Sequence, residues 1–260
     1  MKKQRLLGGL ALLALAIAAT PASAAQRSSA SMAAGARDTC SGGVLAPGEY
    51  DGLVVTGDCV VNGEVTINGN VSVQPGAYLD AAYLGTQLTI NGNVNVGKGA
   101  TLGLGCSFGY HDCGFAPIWL GNVTVNGNIV ANQPLTMYID FTTIHGNVIS
   151  NGGGDITRTD PNGLVFPIKD DVIDGNVIVH GWQGAWFGII RGTIGGNVSV
   201  INTAGTRVGD EGLPDSTEIV TNIIAGNLMC ERNSPPAQIG DSGGTANTVG
   251  GHKIGECSAL

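Results

Sequence analysis

Along most of this chain apolar residues alternate with small polar ones over three to five positions, as in Val71, Ser72, Val73, in Val94, Asn95, Val96 and in Val198, Ser199, Val200. Such alternation sends one row of side chains inward and the next outward along a short strand. Between the runs a five-residue phrase returns. It is Ile67, Asn68, Gly69, Asn70, Val71, and variants occupy 90–94, 144–148, 173–177, 194–198 and 224–228. A fixed phrase recurring every 20 to 30 residues marks a solenoid whose coils stack. Glycines six residues apart, at 63 and 69, at 121 and 127 and at 175 and 181, set tight corners between the strands. Glycine permits positive φ there, and asparagine tolerates it while its amide bonds the backbone. The pattern predicts an all-β, single-stranded parallel β-helix, with coils of about 20 residues pairing at about 4.8 Å. Crossover chirality favours a right-handed one.

If the phrase marks one corner, Asn70, Asn93, Asn147, Asn176, Asn197 and Asn227 form a column, with Asn122 or Asn128 filling its middle. Stacked amides can bond along the axis, so these asparagines read as structural. The residues before the corner glycines form a second column: Asn68, Asn91, Asn126, His145, Asp174, Gly195, Ala225. It sets His145 beside Asp174. Spacing between corners is uneven, 23 residues from Gly69 to Gly92 but 29 or 30 elsewhere. The surplus reads as loops at Gly103 to Pro117, Asn151 to Lys169 and Ala204 to Glu218, where a solenoid often carries its function. No regular Thr-x-Thr column is visible in the sequence, which argues against ice binding.

Residues 1–24 read differently. Lys2, Lys3 and Arg5 precede an apolar stretch to Ala18 and a small-residue site at Ala22, Ser23, Ala24, the pattern of a bacterial export signal. No later stretch approaches the ~18 apolar residues of a membrane span. Removing the signal leaves nine basic residues against twenty acidic ones, a net charge of −11. Few and scattered Lys and Arg exclude a nucleic-acid partner; the acidity serves solubility outside the cell. Residues 25–39 read as a disordered leader, 40–229 as the repeats with an N-terminal cap, and 230–260 as a C-terminal cap. Six cysteines in an exported chain predict disulfides. Because a solenoid joins residues local in sequence, the expected pairs are Cys40 with Cys59, Cys106 with Cys113, and Cys230 with Cys257.

The cysteine-bracketed beginning, the Gly-Asn-Val repeats and the ending from Asn227, Leu228, Met229, Cys230 to Gly255, Glu256, Cys257 resemble a group of secreted bacterial β-helix proteins. That resemblance implies a fold and an extracellular address but no chemistry. The Gly-x-Val rhythm is also similar to bactofilins, which polymerise end to end and lack this signal and these disulfides.

Candidate chemistry gathers around the second column. Asp170, Asp171, Asp174, His145, His180 and Arg191, with Asp140 near by, could form an acid/base cluster. Acids with a His and an Arg on a β-helix loosely resemble the clefts of pectin-degrading lyases and hydrolases, although the Asn-Thr-Asp and Arg-x-Lys signatures of galacturonidases are missing. Asp170, Asp171 and Asp174 could bind Ca²⁺; otherwise no cofactor is expected. Trp182, Trp186 and Phe187 offer stacking surfaces for sugar if exposed, and filler if buried. There is no GxSxG. The leading expectation is a secreted, monomeric structural or carbohydrate-binding module without catalysis, its partner an extracellular polysaccharide or cell-surface component. A polysaccharide lyase or glycoside hydrolase is the alternative, and a self-assembling extracellular scaffold the weaker one.

Overall fold

The computed structural model describes residues 37–83, 85–105, 122–157, 164–209, 212–240 and 243–260. The expected export signal, most of the expected leader and the expected Cys106–Cys113 pair lie outside the described residues. The described chain is a parallel β-helix: three long parallel sheets of ten, eight and nine strands, each built from one strand per coil, plus a two-stranded sheet. We number them sheets 1, 2 and 3.

The alternation read from the sequence is what closes the coil. In sheet 1 the inward column runs Val71, Val94, Ile129, Val148, Val177, Val198, Leu228, and in sheet 3 it runs Ile67, Ile90, Val125, Ile144, Ile173, Ile194, Ile224. All fourteen are buried, each at a gain of roughly 1.5–3 kcal/mol. Sheet 2 supplies Leu104, Ile139, Ile168, Ile189 and Ile219 from the third side.

Between sheets 3 and 1 the corner is the recurring phrase. Each asparagine side chain accepts the backbone N–H of its counterpart in the next coil: Asn93 on Asn70 at 2.8 Å, Asn128 on Asn93 at 2.8 Å, Asn147 on Asn128 at 2.9 Å, and so on through Asn176, Asn197 and Asn227 to the amide of His252. Asn128 therefore fills the middle of the column, not Asn122, which lies in the strand Asn122–Val125. The steps are 23, 35, 19, 29, 21, 30 and 25 residues. Glycine is required beside this ladder because the backbones almost touch: a Cβ on Gly92 would lie 2.6 Å from the carbonyl of Gly69, and one on Gly127 2.5 Å from that of Gly92.

Both cysteine pairs within the described residues are formed, Cys40–Cys59 and Cys230–Cys257. They close opposite ends of the core. The first ties strand Asp38–Cys40 of sheet 1 to strand Asp58–Val61 of sheet 2; the second ties strand Leu228–Glu231 to the 3-10 turn Glu256–Ala259. Asp38 and Thr39, assigned to the leader from sequence, already pair with Leu53 and Val54. The segment 151–169 is not all loop either. Val165–Lys169 is a full strand of sheet 2, with Phe166 and Ile168 buried and Pro167 between them hiding the pattern. Gly103 belongs to strand Thr101–Leu104, and Ala204–Gly205 pairs with Gln183–Gly184.

Candidate functional site

The corner between sheets 2 and 3 places the charged residues. Phe141, Asp170, Arg191 and Thr221 occupy it in successive coils, all with φ between 49° and 59°. Their amides donate to Lys169, Ile190, Val220 and Thr245 carbonyls respectively. Residues in one conformation at one register aim their side chains alike, so Asp170 and Arg191 meet. Arg191 Nε and Nη2 each donate to an Asp170 carboxylate oxygen at 2.6 Å. Asp170 is the first cause holding the guanidinium above its usual range.

Asp140 and Lys169 are register partners in sheet 2. Burial pushes the Asp140 carboxyl up to about 7, against the opposing pull of Lys169, and burial likewise lowers Lys169. Lys169 Nζ also lies 4.5 Å from the ring centre of Trp186. Lys169 was not singled out from the sequence; only the register reveals it. Asp171, one residue beyond Asp170, turns inward and is buried, its Oδ1 accepting the Thr142 N–H at 2.7 Å.

At the far end of the two-residue strand Val172–Ile173, Asp174 reaches the preceding coil. His145 Nδ1 and Asp174 Oδ2 are 2.7 Å apart, on side chains 48% and 56% exposed. The neighbour relation expected from the second column is therefore formed. The same column is amide-bonded below it, Asn91 donating to Asn68 at 3.1 Å and Asn126 to Asn91 at 2.8 Å. His180 stands elsewhere, at the end of strand Val177–His180 in sheet 1, with its Nε2 2.9 Å from Asn202 Nδ2.

The six candidate catalytic residues thus fall into separate places: Asp170 with Arg191, His145 with Asp174, His180 with Asn202, and Asp171 inside. They do not share one groove. The expected calcium trio is divided for the same reason, since Asp170 faces Arg191, Asp174 faces His145, and Asp171 is buried. Among the described residues no three carboxylate, His or Cys side chains converge as a metal site.

The aromatic platform is corrected too. Trp182 is 0%, Phe187 1% and Trp186 5% exposed. Trp182 and Phe187 pack edge-on to or tilted around Phe166 inside the helix, with ring centres 5.4 to 6.4 Å apart. Trp186 joins Ile190 and Val220 in a small cluster outside sheet 2. They fill space, and Gly184 and Gly188 lie against their indole rings, where a Cβ would collide. No sugar can stack on them.

What the sequence reading missed lies on the outer face of sheet 3. The register aligns Thr66, Thr89, Thr124, Thr143, Val172, Thr193, Ile223 and Thr248 in one outward column, β-branched from the second coil on, with Glu49 at its first position. All are partly or fully exposed. The column runs beside the Asn68, Asn91, Asn126 ladder, so from Thr66 to Asn126 this face bears hydroxyls, methyls and amides. A threonine column does exist, then, though its partner column is asparagine. The signal was available: each of these residues stands three before a corner glycine.

Comparison with protein-family models, with characterised proteins and with solved structures finds no match. Among the described residues no helix is long and apolar enough to cross a membrane. Two exposed features stand out: the sheet 3 face, bearing hydroxyls and amides from Thr66 to Asn126, and the imidazole–carboxylate pair of His145 and Asp174 at its edge.

Proposed function

We propose that the chain is an exported, non-catalytic β-helix that lays the outer face of sheet 3 on an extracellular polysaccharide or cell-surface polymer. The observation that carries this reading is the register-locked threonine column beside the amide ladder. Hydroxyl and amide groups repeating at about 4.8 Å along a rigid axis suit a polymer that offers hydroxyls at regular intervals. Between Thr66 and Asn126 the two columns carry no charge, while Glu49 and Glu64 flank them, which suits an uncharged or weakly charged surface. Disulfides at both ends support the extracellular address.

The test is co-sedimentation of the purified mature chain with insoluble cellulose, chitin and peptidoglycan, beside a Thr89→Asp, Thr124→Asp variant. Both side chains point outward and are partly exposed, and circular dichroism of the variant checks that it has folded. Binding lost in the variant by tenfold or more supports the face as the contact. Equal binding by both proteins, or none by either, overturns it, and retention on ice instead of polymer would reassign the ligand.

The second reading, a polysaccharide lyase or glycoside hydrolase, is favoured by His145 and Asp174 alone, an exposed imidazole steadied by a carboxylate. Turnover of acidic or neutral polysaccharide, with or without Ca²⁺, that disappears in Asp174→Ala would establish it. Ca²⁺ as a cofactor belongs to that reading only.

A further inference from the structure

Three buried asparagines at coil corners follow one rule. Asn222 Oδ1 accepts the Gly192 N–H at 2.8 Å while its Nδ2 donates to the Ile189 carbonyl at 2.8 Å. Asn247 Oδ1 accepts from Asn222 N at 3.0 Å and its Nδ2 donates to Ile219 O at 2.7 Å. Asn233 does the same with Thr203 N and Val200 O, at 2.9 and 3.0 Å. Each time the accepting carbonyl lies three residues before the amide that the side chain caps. The amide group satisfies one donor and one acceptor of the previous coil, both sealed from water.

Asp171 occupies this place in an earlier coil. Thr142, Asp171, Gly192, Asn222 and Asn247 are successive positions of one column, through Thr142 N to Asp171 Oδ1, Thr193 N to Asp171 O, and the asparagine contacts above. The residue three before Thr142 is Ile139. Asp171 Oδ2 is buried and has no hydrogen-bond partner among the described residues. In the ionised form that oxygen is left without a hydrogen-bond partner, whereas the asparagines in its place use the corresponding atom to donate.

We propose that Asp171 is a neutral carboxylic acid in the folded protein, and that its Oδ2–H donates to the Ile139 carbonyl as the asparagine amides do in later coils. Its surroundings agree. Burial raises its pKa well above the usual carboxylate range; the neighbouring Asp140 and Asp170 add to this, and the backbone amides of Thr142 and Lys169 oppose it. The cations packed near by serve other groups, Lys169 acting on Asp140 and Arg191 on Asp170. The folded chain therefore holds a proton that the unfolded chain releases above the ordinary aspartate range. A folded pKa raised in this way gives stability that is complete below about pH 4 and is lost as pH rises through the folded value. The β-helix becomes tolerant of acid and sensitive to alkali, with Asp140 contributing in the same direction.

The test is thermal unfolding of the mature chain, Asp171→Asn, Asp171→Ala and Asp140→Asn from pH 4 to 10, with infrared detection of protonated carboxyl groups at pH 7. Asp171→Asn is expected to match or exceed the wild type at neutral pH and to lose less Tm towards pH 10, while Asp171→Ala is weaker throughout. One protonated-carboxyl band should vanish in Asp171→Asn and survive in Asp140→Asn. The proposal is overturned if Asp171→Asn fails to fold, is as weak as Asp171→Ala, or leaves the infrared spectrum unchanged. It is equally overturned if added Ca²⁺ raises the wild-type Tm but not that of Asp171→Asn, because the carboxyl would then be an ionised cation ligand.

Discussion

Two corners of the same coil solve one problem with different materials. Between sheets 3 and 1, the seven coils from Asn70 to Asn227 repeat Gly-Asn, and each asparagine caps the next coil's amide from a partly exposed position. Between sheets 2 and 3 the matching column reads Thr142, Asp171, Gly192, Asn222, Asn247 and is buried throughout. The first corner is uniform because its backbones approach so closely that a Cβ does not fit. In the column of Asp171 at the second corner, the nearest atom to a Cβ on Gly192 is a side-chain oxygen at 3.3 Å, so residue type varies and each polar group must be satisfied individually. Uniform sequence thus reports steric constraint, and varied sequence reports local chemistry.

The sharpest way to break this comparison is to add a side chain at each corner. Gly127→Val places its Cβ 2.5 Å from the Gly92 carbonyl oxygen and should cost about 4 kcal/mol or prevent folding. At Gly192 the nearest atom to a Cβ is Asn222 Oδ1 at 3.3 Å, so Gly192→Ala should cost about 1 kcal/mol. Denaturant unfolding of the two variants measures both. Equal losses would show that the two corners do not differ in closeness.

A smaller effect separates the capping asparagines. Asn222 is buried and serves Gly192 N, Ile189 O and Asn247 Oδ1; Asn222→Ala should cost about 3 kcal/mol, since it strands sealed groups. Asn128 serves Asn147 N and Asn93 Oδ1 from a partly exposed position, and water can replace it, so Asn128→Ala should cost about 1 kcal/mol. The ratio, read from unfolding midpoints at constant slope, is the quantity that tests burial as the cause.

The same contrast explains what could be read in advance. The uniform corner was legible because sterics allow one phrase, and through it the β-helix, both end disulfides and the meeting of His145 with Asp174. The middle of the ladder was ambiguous, because both Gly121-Asn122 and Gly127-Asn128 carry the phrase and only pairing with Asn93 selects Asn128. At the varied corner no phrase recurs, so Asp171 read as a surface acid and Lys169 escaped notice. Pro167 masked the strand that holds Lys169. Trp186 and Phe187 could not be assigned to inside or outside because alternation fails in Trp186–Ile190, where all five residues are buried, and Trp182 lies between strands, where there is no alternation to read. The threonine column stands one residue before the recurring phrase, so an alignment that began at the phrase missed it.

His145 and Asp174 give the smallest expected effect and the cleanest one. They belong to neither corner's capping system, and both side chains are about half exposed, so water screens their attraction and can replace either partner. A double-mutant cycle of His145→Ala and Asp174→Ala should give a coupling below about 1 kcal/mol, falling further in high salt. In the next coils their column continues as Gly195 and Ala225, so nothing stacked above depends on them. A coupling of several kcal/mol would mean that the pair is part of the frame. At the expected value the pair has almost no structural duty, and any change that Asp174→Ala makes in polymer binding or turnover then reports what the edge of sheet 3 does to a ligand.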